Sequence, residues 1–546
     1  MAVADLLVVL GWQLLVVGAL LGSAWVALRL AAPERGPRAV LRERFYLGVP
    51  WGSLIVFGWV LAVYLFVQGG LWHPDEPLAV PFSAWSYFYP LGMAFAGFAH
   101  VGPGHLIGNL TTALVFAPLA EYVWGHFPES EDARIADPQV RAFVAFPLAV
   151  LAVGIGTSLF SWGPVIGFSG VVFAMIGFVL VRYPILAVVA LAARSAVRTL
   201  SDALAEPVAV VEVTASVSPP WWYGIAVQGH AIGFLTGVLL GAALLRHRRI
   251  RPDPRRLWFG TLLVSLSLSL WAVWWVRGEA TYVLFQALGL VLVFALAALV
   301  TAAVTADDRP LSQSQFGNVA RRRAALAALA LPLVVMCLIG VPLNLVAVDE
   351  EPREAALDAG DYTVFYDEEV EDRMFSVVEV EAFGETTDVT TSGVIVTSPE
   401  RNVWGQEVPA AELETHGDAT VRIGGLTWSE TVEVERSGWE VGDEAVYAVW
   451  LENDGERVHS YDSEPVSPDV LLDGRTITLH TESGTFYVEV EGEGATEYAE
   501  VPDEGEVRGV NGLAIGNDDD RLVASDGASA VPIAEAERYT PRQEDL

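Results

Sequence analysis

Runs of roughly 20 residues almost free of charge recur through the first 348 positions, and each is long enough to cross the hydrocarbon core of a bilayer. No other feature restricts the fold as much. More than half of the chain is hydrophobic and its mean hydropathy is +0.42, which ordinary soluble domains do not carry alongside such runs. The expectation is an all-α polytopic membrane bundle. Counting the runs gives nine spans, with 185–200, 257–276 and 282–304 among them. Arginines orient the bundle by the positive-inside rule. Arg29, Arg35, Arg38, Arg42 and Arg44 mark one cytoplasmic loop, and Arg246, Arg248, Arg249, Arg251, Arg255 and Arg256 mark another. Arg309 and Arg321, Arg322 and Arg323 mark a third. Both the N-terminus and the tail are then external.

Charge is split sharply along the sequence. Residues 1–349 hold 21 arginines against 18 carboxylates, a net of +3, whereas residues 350–546 hold 11 against 49, a net of −38. All 32 basic residues are arginine. This acidic, lysine-free make-up resembles that of proteins from salt-loving archaea, where salt screens self-repulsion, so the chain reads as halophilic. The acidity argues against a nucleic-acid partner. Cys337 is the only cysteine, which rules out a disulfide within the chain or a cysteine-rich zinc site.

The acidic tail has a different periodicity. Alternation of period two appears in the segments beginning at Glu379, Thr431, Ala445, Thr476 and Thr485, separated by turn signals such as Asn453-Asp454-Gly455. An all-β, sandwich-like soluble domain is expected over about 361–539, with a disordered end at 541–546. Four parts follow: 1–45, an extra N-terminal transmembrane helix and cytoplasmic arginine-rich loop; 46–250, a helical core; 251–349, three additional helices; and 350–546, the acidic extracytoplasmic β-rich domain.

Chemistry-bearing residues cluster at comparable membrane depth. Ionisable and amide groups at such depth are costly and usually serve a site. Ser169 opens an inward-going run, His105 and Asn109 open another, and His230 lies nine residues after Trp221, about 13 Å along a helix. All three runs enter from the external side. A serine hydroxyl needs an adjacent base to act as a nucleophile, and a neutral imidazole can take its proton and later return it. His105 and Asn109 are four apart and share one helix face. With the Ser169 backbone N–H at a helix start, they offer donors for a developing oxyanion. Phe173, four residues beyond Ser169, could pack on His230 and fix its ring. The nearest helical carboxylate, Glu121, is about 18 Å deeper than Asn109, so a Ser–His dyad without an acid is expected. Gly229, Gly233, Gly237 and Gly241 recur every four residues, a stripe that admits a close helix neighbour.

Taken together these residues resemble the rhomboid family of intramembrane serine proteases. Gly167-Phe168-Ser169-Gly170 matches its Gly-x-Ser-Gly signature. His100-x4-His105-x3-Asn109 matches its loop-and-helix pattern, and Gly229-His230 with the trailing Gly233 and Gly237 matches its last core helix. The resemblance covers about 49–245. It implies a six-helix core, to which about three extra helices are added here. It also implies Ser169 as nucleophile, His230 as general base, and His105, Asn109 and the Ser169 amide as oxyanion donors. Gly167, Gly170, Phe173, Gly233 and His100 are supporting residues, and Glu121 falls where the family often has a structural acid. Trp72 and Trp85 lack the arginine that follows tryptophan in the family's first external loop. The implied activity is endopeptidase cleavage of membrane-anchored proteins near the external face of the cell membrane, with no metal or cofactor. The alternative is a catalytically silent rhomboid-like protein that binds membrane clients.

Overall fold

A computed structural model describes residues 3–31, 37–125, 137–205, 220–278, 281–307, 309, 320–349, 353, 355–373, 381–382, 385–386, 389–492 and 494–541. The chain divides into two compact units, one of helices ending at Val346 and one of strands following Ala347. Most of the expected loops at 125–141 and 206–220 lies outside the described residues, as do the start of the strand expected from Glu379 and nearly all of the end at 541–546.

Ten described helices occupy the apolar runs, one more than the count of nine. Five of them are long and apolar enough to cross a membrane: Pro103–Trp124, Pro138–Leu159, Val227–His247, Gln286–Thr305 and Arg321–Leu343. Leu10–Ser23, Trp51–Val67 and Ser169–Arg182 are shorter apolar stretches. The run expected at 257–276 is corrected. Its helix, Pro254–Ser267, stops after 14 residues, and Trp274–Gly278 and Thr281–Leu284 are strands rather than helix. Tryptophan and β-branched residues at 273–283 favour extended backbone once Ser269 takes a left-handed φ of 56°. The following helix therefore begins at Gln286, later than expected.

Core packing in the helical unit centres on Ser169–Arg182, whose residues are nearly all buried. Its Ile176 and Leu180 are fully enclosed, as are Phe116, Phe168 and Phe234 in the same cluster. The glycine stripe explains the closest pairing. A Cβ at Gly233 would lie 2.0 Å from the Gly170 carbonyl oxygen, and one at Gly237 would lie 1.9 Å from that of Ala174. Only glycine permits this backbone approach. Gly229 does not take part, since its nearest neighbour is Ala226 of its own helix at 3.9 Å.

Glu121 ties two helices together. Its carboxylate accepts from the Ser53 N–H at 2.9 Å, the Ser53 hydroxyl at 2.8 Å and the Gly52 N–H at 3.2 Å. These are donors at the start of Trp51–Ala62, which an anion suits. The far end of Pro103–Trp124 is closed by arginines. Arg248 donates to the carbonyls of Val123 and Trp124 at 2.8 and 2.7 Å, and Arg141 donates to Trp124 at 2.8 Å.

The second unit is all β apart from the short helix Ala410–His416. Its largest sheet has eight strands centred on Ser429–Val441, which pairs with Asp418–Gly424, Glu444–Asn453 and Ala530–Ala536. Val432 and Val434 face inward while Glu433 and Glu435 face solvent, the period-two pattern read from the sequence. The strands Glu444–Asn453 and Glu456–Asp462 are joined by Asp454 and Gly455 at φ of 49° and 82°, a two-residue turn that needs positive φ at both positions. A four-stranded sheet over residues 471–500 contributes Ile477, Leu479, Val488 and Val490 to a shared core with Ile515 and Leu522 of the larger sheet, a sandwich-like arrangement. A second four-stranded sheet runs from Leu357 to Pro409.

Candidate active site

Helix starts position His105, Ser169 and His230. His105 is the third residue of Pro103–Trp124, Ser169 is the first of Ser169–Arg182, and His230 is the fourth of Val227–His247. The depth read for His230 is therefore corrected. Residues 221–224 form a turn rather than the first helical turn, so His230 sits about 5 Å along its helix and not about 13 Å.

Ser169 and His230 meet. Oγ of Ser169 lies 2.9 Å from Nε2 of His230, within hydrogen-bond distance. With the hydroxyl donating, the imidazole proton sits on Nδ1, and that atom is buried with no hydrogen-bond partner. Among the described residues no carboxylate completes a triad. The ring of Phe173 lies against the imidazole, with centroids 4.1 Å apart and planes 8° apart, so packing rather than an acid holds the ring.

His105 and Asn109 converge on Gly167. A Cβ there would lie 2.6 Å from Cε1 and 2.7 Å from Nε2 of His105, and 3.6 Å from Nδ2 of Asn109. Gly167 also has a φ of +131°, so both space and backbone demand glycine. Its N–H donates to the Ala96 carbonyl at 2.8 Å, which anchors the loop before the nucleophile. Asn109 Nδ2 is buried and unpartnered, a donor held ready. The Ser169 N–H begins its helix and has no carbonyl four residues back inside it. Three kinds of donor are thus brought to one small region beside the hydroxyl.

His100 supports this group without joining it. It is fully buried, and its ring stands edge-on to His105 at 5.1 Å between centroids. Its backbone is clasped by Gln68, whose amide accepts from the His100 N–H at 2.9 Å and donates to the His100 carbonyl at 2.7 Å. Gly170 lies under Thr157, with a Cβ there meeting the threonine side chain at 3.0 Å.

The sequence reading missed the residues that hold the loop before Ser169. Asn344, fully buried, donates from Nδ2 to the Ser161 carbonyl at 2.7 Å, and its backbone carbonyl accepts from the Tyr87 N–H at 2.9 Å. Trp162 donates from Nε1 to the Met336 carbonyl at 2.8 Å. Gln228, two residues before His230, donates to the Phe160 carbonyl at 2.8 Å and accepts from the Trp162 N–H at 3.3 Å. The helix Arg321–Leu343 and the start of the His230 helix therefore grip the same loop. A lone amide near the end of the apolar run 324–348 was the available signal.

Residues 85–247 match the family model for the Rhomboid domain. No curated protein and no solved structure matches the chain. Among the described residues, no group of three or more His, Cys, Asp or Glu side chains is placed to hold a metal ion.

Proposed function

The chain carries a rhomboid domain and is a multi-pass membrane protein, and on that premise we propose that it is an intramembrane serine endopeptidase working through a Ser169–His230 dyad. The observation that carries the reading is the 2.9 Å contact between Ser169 Oγ and His230 Nε2, made between two helices far apart in sequence. His230 Nε2 takes the hydroxyl proton as Oγ attacks the scissile carbonyl carbon. The carbonyl oxygen becomes an oxyanion beside Asn109 Nδ2, His105 and the Ser169 N–H, where preorganised donors stabilise it best. The imidazolium returns the proton to the leaving amine, and the C–N bond breaks to leave an acyl-serine. Water then attacks the ester, again through His230, and releases the acid and free Ser169.

The helix Ser169–Arg182 spans only about 21 Å, shorter than a bilayer core of about 30 Å. With Arg182 at the cytoplasmic surface, Ser169 lies below the external one, and water reaches it through an opening on that side. The substrate is a membrane-anchored protein whose helix unwinds near its external end, because helical carbonyls are already hydrogen-bonded. The acidic β domain is external and solvated by its carboxylates.

The test is cleavage of a membrane-anchored reporter by the wild-type chain, Ser169→Ala and His230→Ala, together with labelling of Ser169 by a fluorophosphonate. Loss of cleavage in both variants, and of labelling in Ser169→Ala, is expected. Equal cleavage by all three would overturn the proposal. A folded wild type that binds the reporter without cutting it would favour the silent client-binding alternative.

A further inference from the structure

We propose that an arginine-rimmed cavity between three helix ends binds a phosphate group, carried by an anionic lipid or free in solution. The cavity encloses about 580 Å³ between Val227–His247, the end of Gln286–Thr305 and the start of Arg321–Leu343. Its wall is apolar, with Leu239 and Leu326 contributing, and its rim carries Arg246, Arg249, Arg251 and Arg322. No carboxylate lines it among the described residues. The volume falls within the usual range for small-molecule pockets, about 300–1,000 Å³.

Neighbouring arginines have different uses. Arg248 gives its guanidinium to the Val123 and Trp124 carbonyls and closes a helix end. The side chains of Arg246, Arg249 and Arg251 make no hydrogen bond or ion pair among the described residues, yet they gather on one rim. Arg249 also holds a left-handed φ of 54°, rare for a residue with a side chain. The turn is locked by the Arg249 N–H on the Arg246 carbonyl at 3.1 Å and the Ile250 N–H on that of Leu245 at 2.9 Å. This is the ordinary Schellman close of a helix, and it leaves the Arg249 side chain on the rim.

Guanidinium groups match phosphate oxygens in a two-pronged geometry. An apolar wall leading to a cationic rim fits a phospholipid, with chains against Leu239 and phosphate on the arginines. The arginine bias of this loop places the rim on the cytoplasmic side, where basic pockets between helices meet anionic headgroups. A free phosphate would use the rim alone.

The test uses the full chain, purified in detergent and stripped of lipid. It is titrated with short-chain phosphatidylglycerol, with phosphatidylcholine of the same chains, and with inorganic phosphate, and binding is read by native mass spectrometry and melting temperature. The variants are Arg246→Gln/Arg249→Gln/Arg251→Gln, the same triple change to Lys, and Arg255→Gln/Arg256→Gln as a charge control outside the cavity. Phosphatidylglycerol is expected to bind the wild type and the control. Its affinity should fall about fivefold for each arginine removed, with partial retention in the Lys variant. Phosphatidylglycerol binding much tighter than phosphate assigns the lipid, and equal binding assigns the free anion. Undiminished binding by the Gln triple variant, or equal binding of phosphatidylcholine, overturns the site.

Discussion

The imidazole of His230 lies flat on the ring of Phe173, 4.1 Å between centroids, while its Nε2 faces Ser169 Oγ at 2.9 Å. In the proposed dyad an aromatic face supplies the orientation that a carboxylate supplies in a triad. Replacing Phe173 by Leu keeps an apolar filler but removes the stacked face. An aromatic pair contributes about 0.5–1.5 kcal/mol beyond its area, so kcat should fall about two- to tenfold with KM little changed, and Phe173→Tyr should keep most activity. Steady-state cleavage of the membrane reporter reads both constants.

Close packing of the Ser169 and His230 helices makes a second prediction. Gly233→Ala puts a methyl group 2.0 Å from the Gly170 carbonyl oxygen, next to the nucleophile, so the helices must part. Displacement of about 1 Å costs on the order of 100-fold in rate, and overpacking costs about 1–3 kcal/mol of stability. Gly229→Ala, on the same stripe but in open space, should leave both unchanged. Reporter cleavage and thermal unfolding in detergent, measured on both variants, check the contrast; equal damage would refute it.

Asn344 tests whether the last apolar helix belongs to the active site. Asn344→Ala leaves the Ser161 carbonyl without its donor, at a cost of about 1–3 kcal/mol. The loop before Ser169 should loosen, lowering kcat severalfold while fluorophosphonate labelling slows in parallel. Unchanged labelling with lowered melting temperature would mean that the contact is structural only.

Alkaline pH should weaken the β unit. Tyr366, Tyr447 and Tyr461 all hydrogen-bond to the Glu368 carboxylate, Tyr366 at 3.0 Å and Tyr461 at 2.8 Å. Burial raises all three above the ordinary tyrosine value, and the nearby carboxylate adds to the rise. The folded state thus favours neutral phenols. Its advantage is complete below the unfolded value of about 10 and is lost as pH climbs toward the raised folded values. Melting of the full chain followed in the β signal should fall steeply above about pH 10, and Tyr461→Phe should flatten that fall. An identical slope in the variant would show that this group is not the cause.

The candidate site was largely legible from the sequence because its residue types are conspicuous one by one. A serine between glycines, two histidines and an asparagine within apolar runs are conspicuous where polar groups are costly. The same logic passed over Asn344 and Gln228, whose value lies in which carbonyl they reach. Helix limits were less legible. Hydropathy could not separate the 14-residue helix Pro254–Ser267 from the strand that follows, because tryptophan and valine satisfy both readings.

Sequence alone determined that helices precede strands, that the two parts differ in charge, and that Ser169, His105, His230 and Asn109 share the helical part. Those properties follow from periodicity, charge and residue chemistry, which need no contacts. Tertiary structure decided that the Ser169 and His230 helices pack backbone to backbone, that Phe173 stacks on His230, and that Gly167 lets His105 and Asn109 approach the loop before Ser169. It also decided which arginines close helix ends and which rim a cavity. These are distances between residues remote in sequence, fixed by close packing to within a fraction of an ångström, and no one-dimensional pattern contains them.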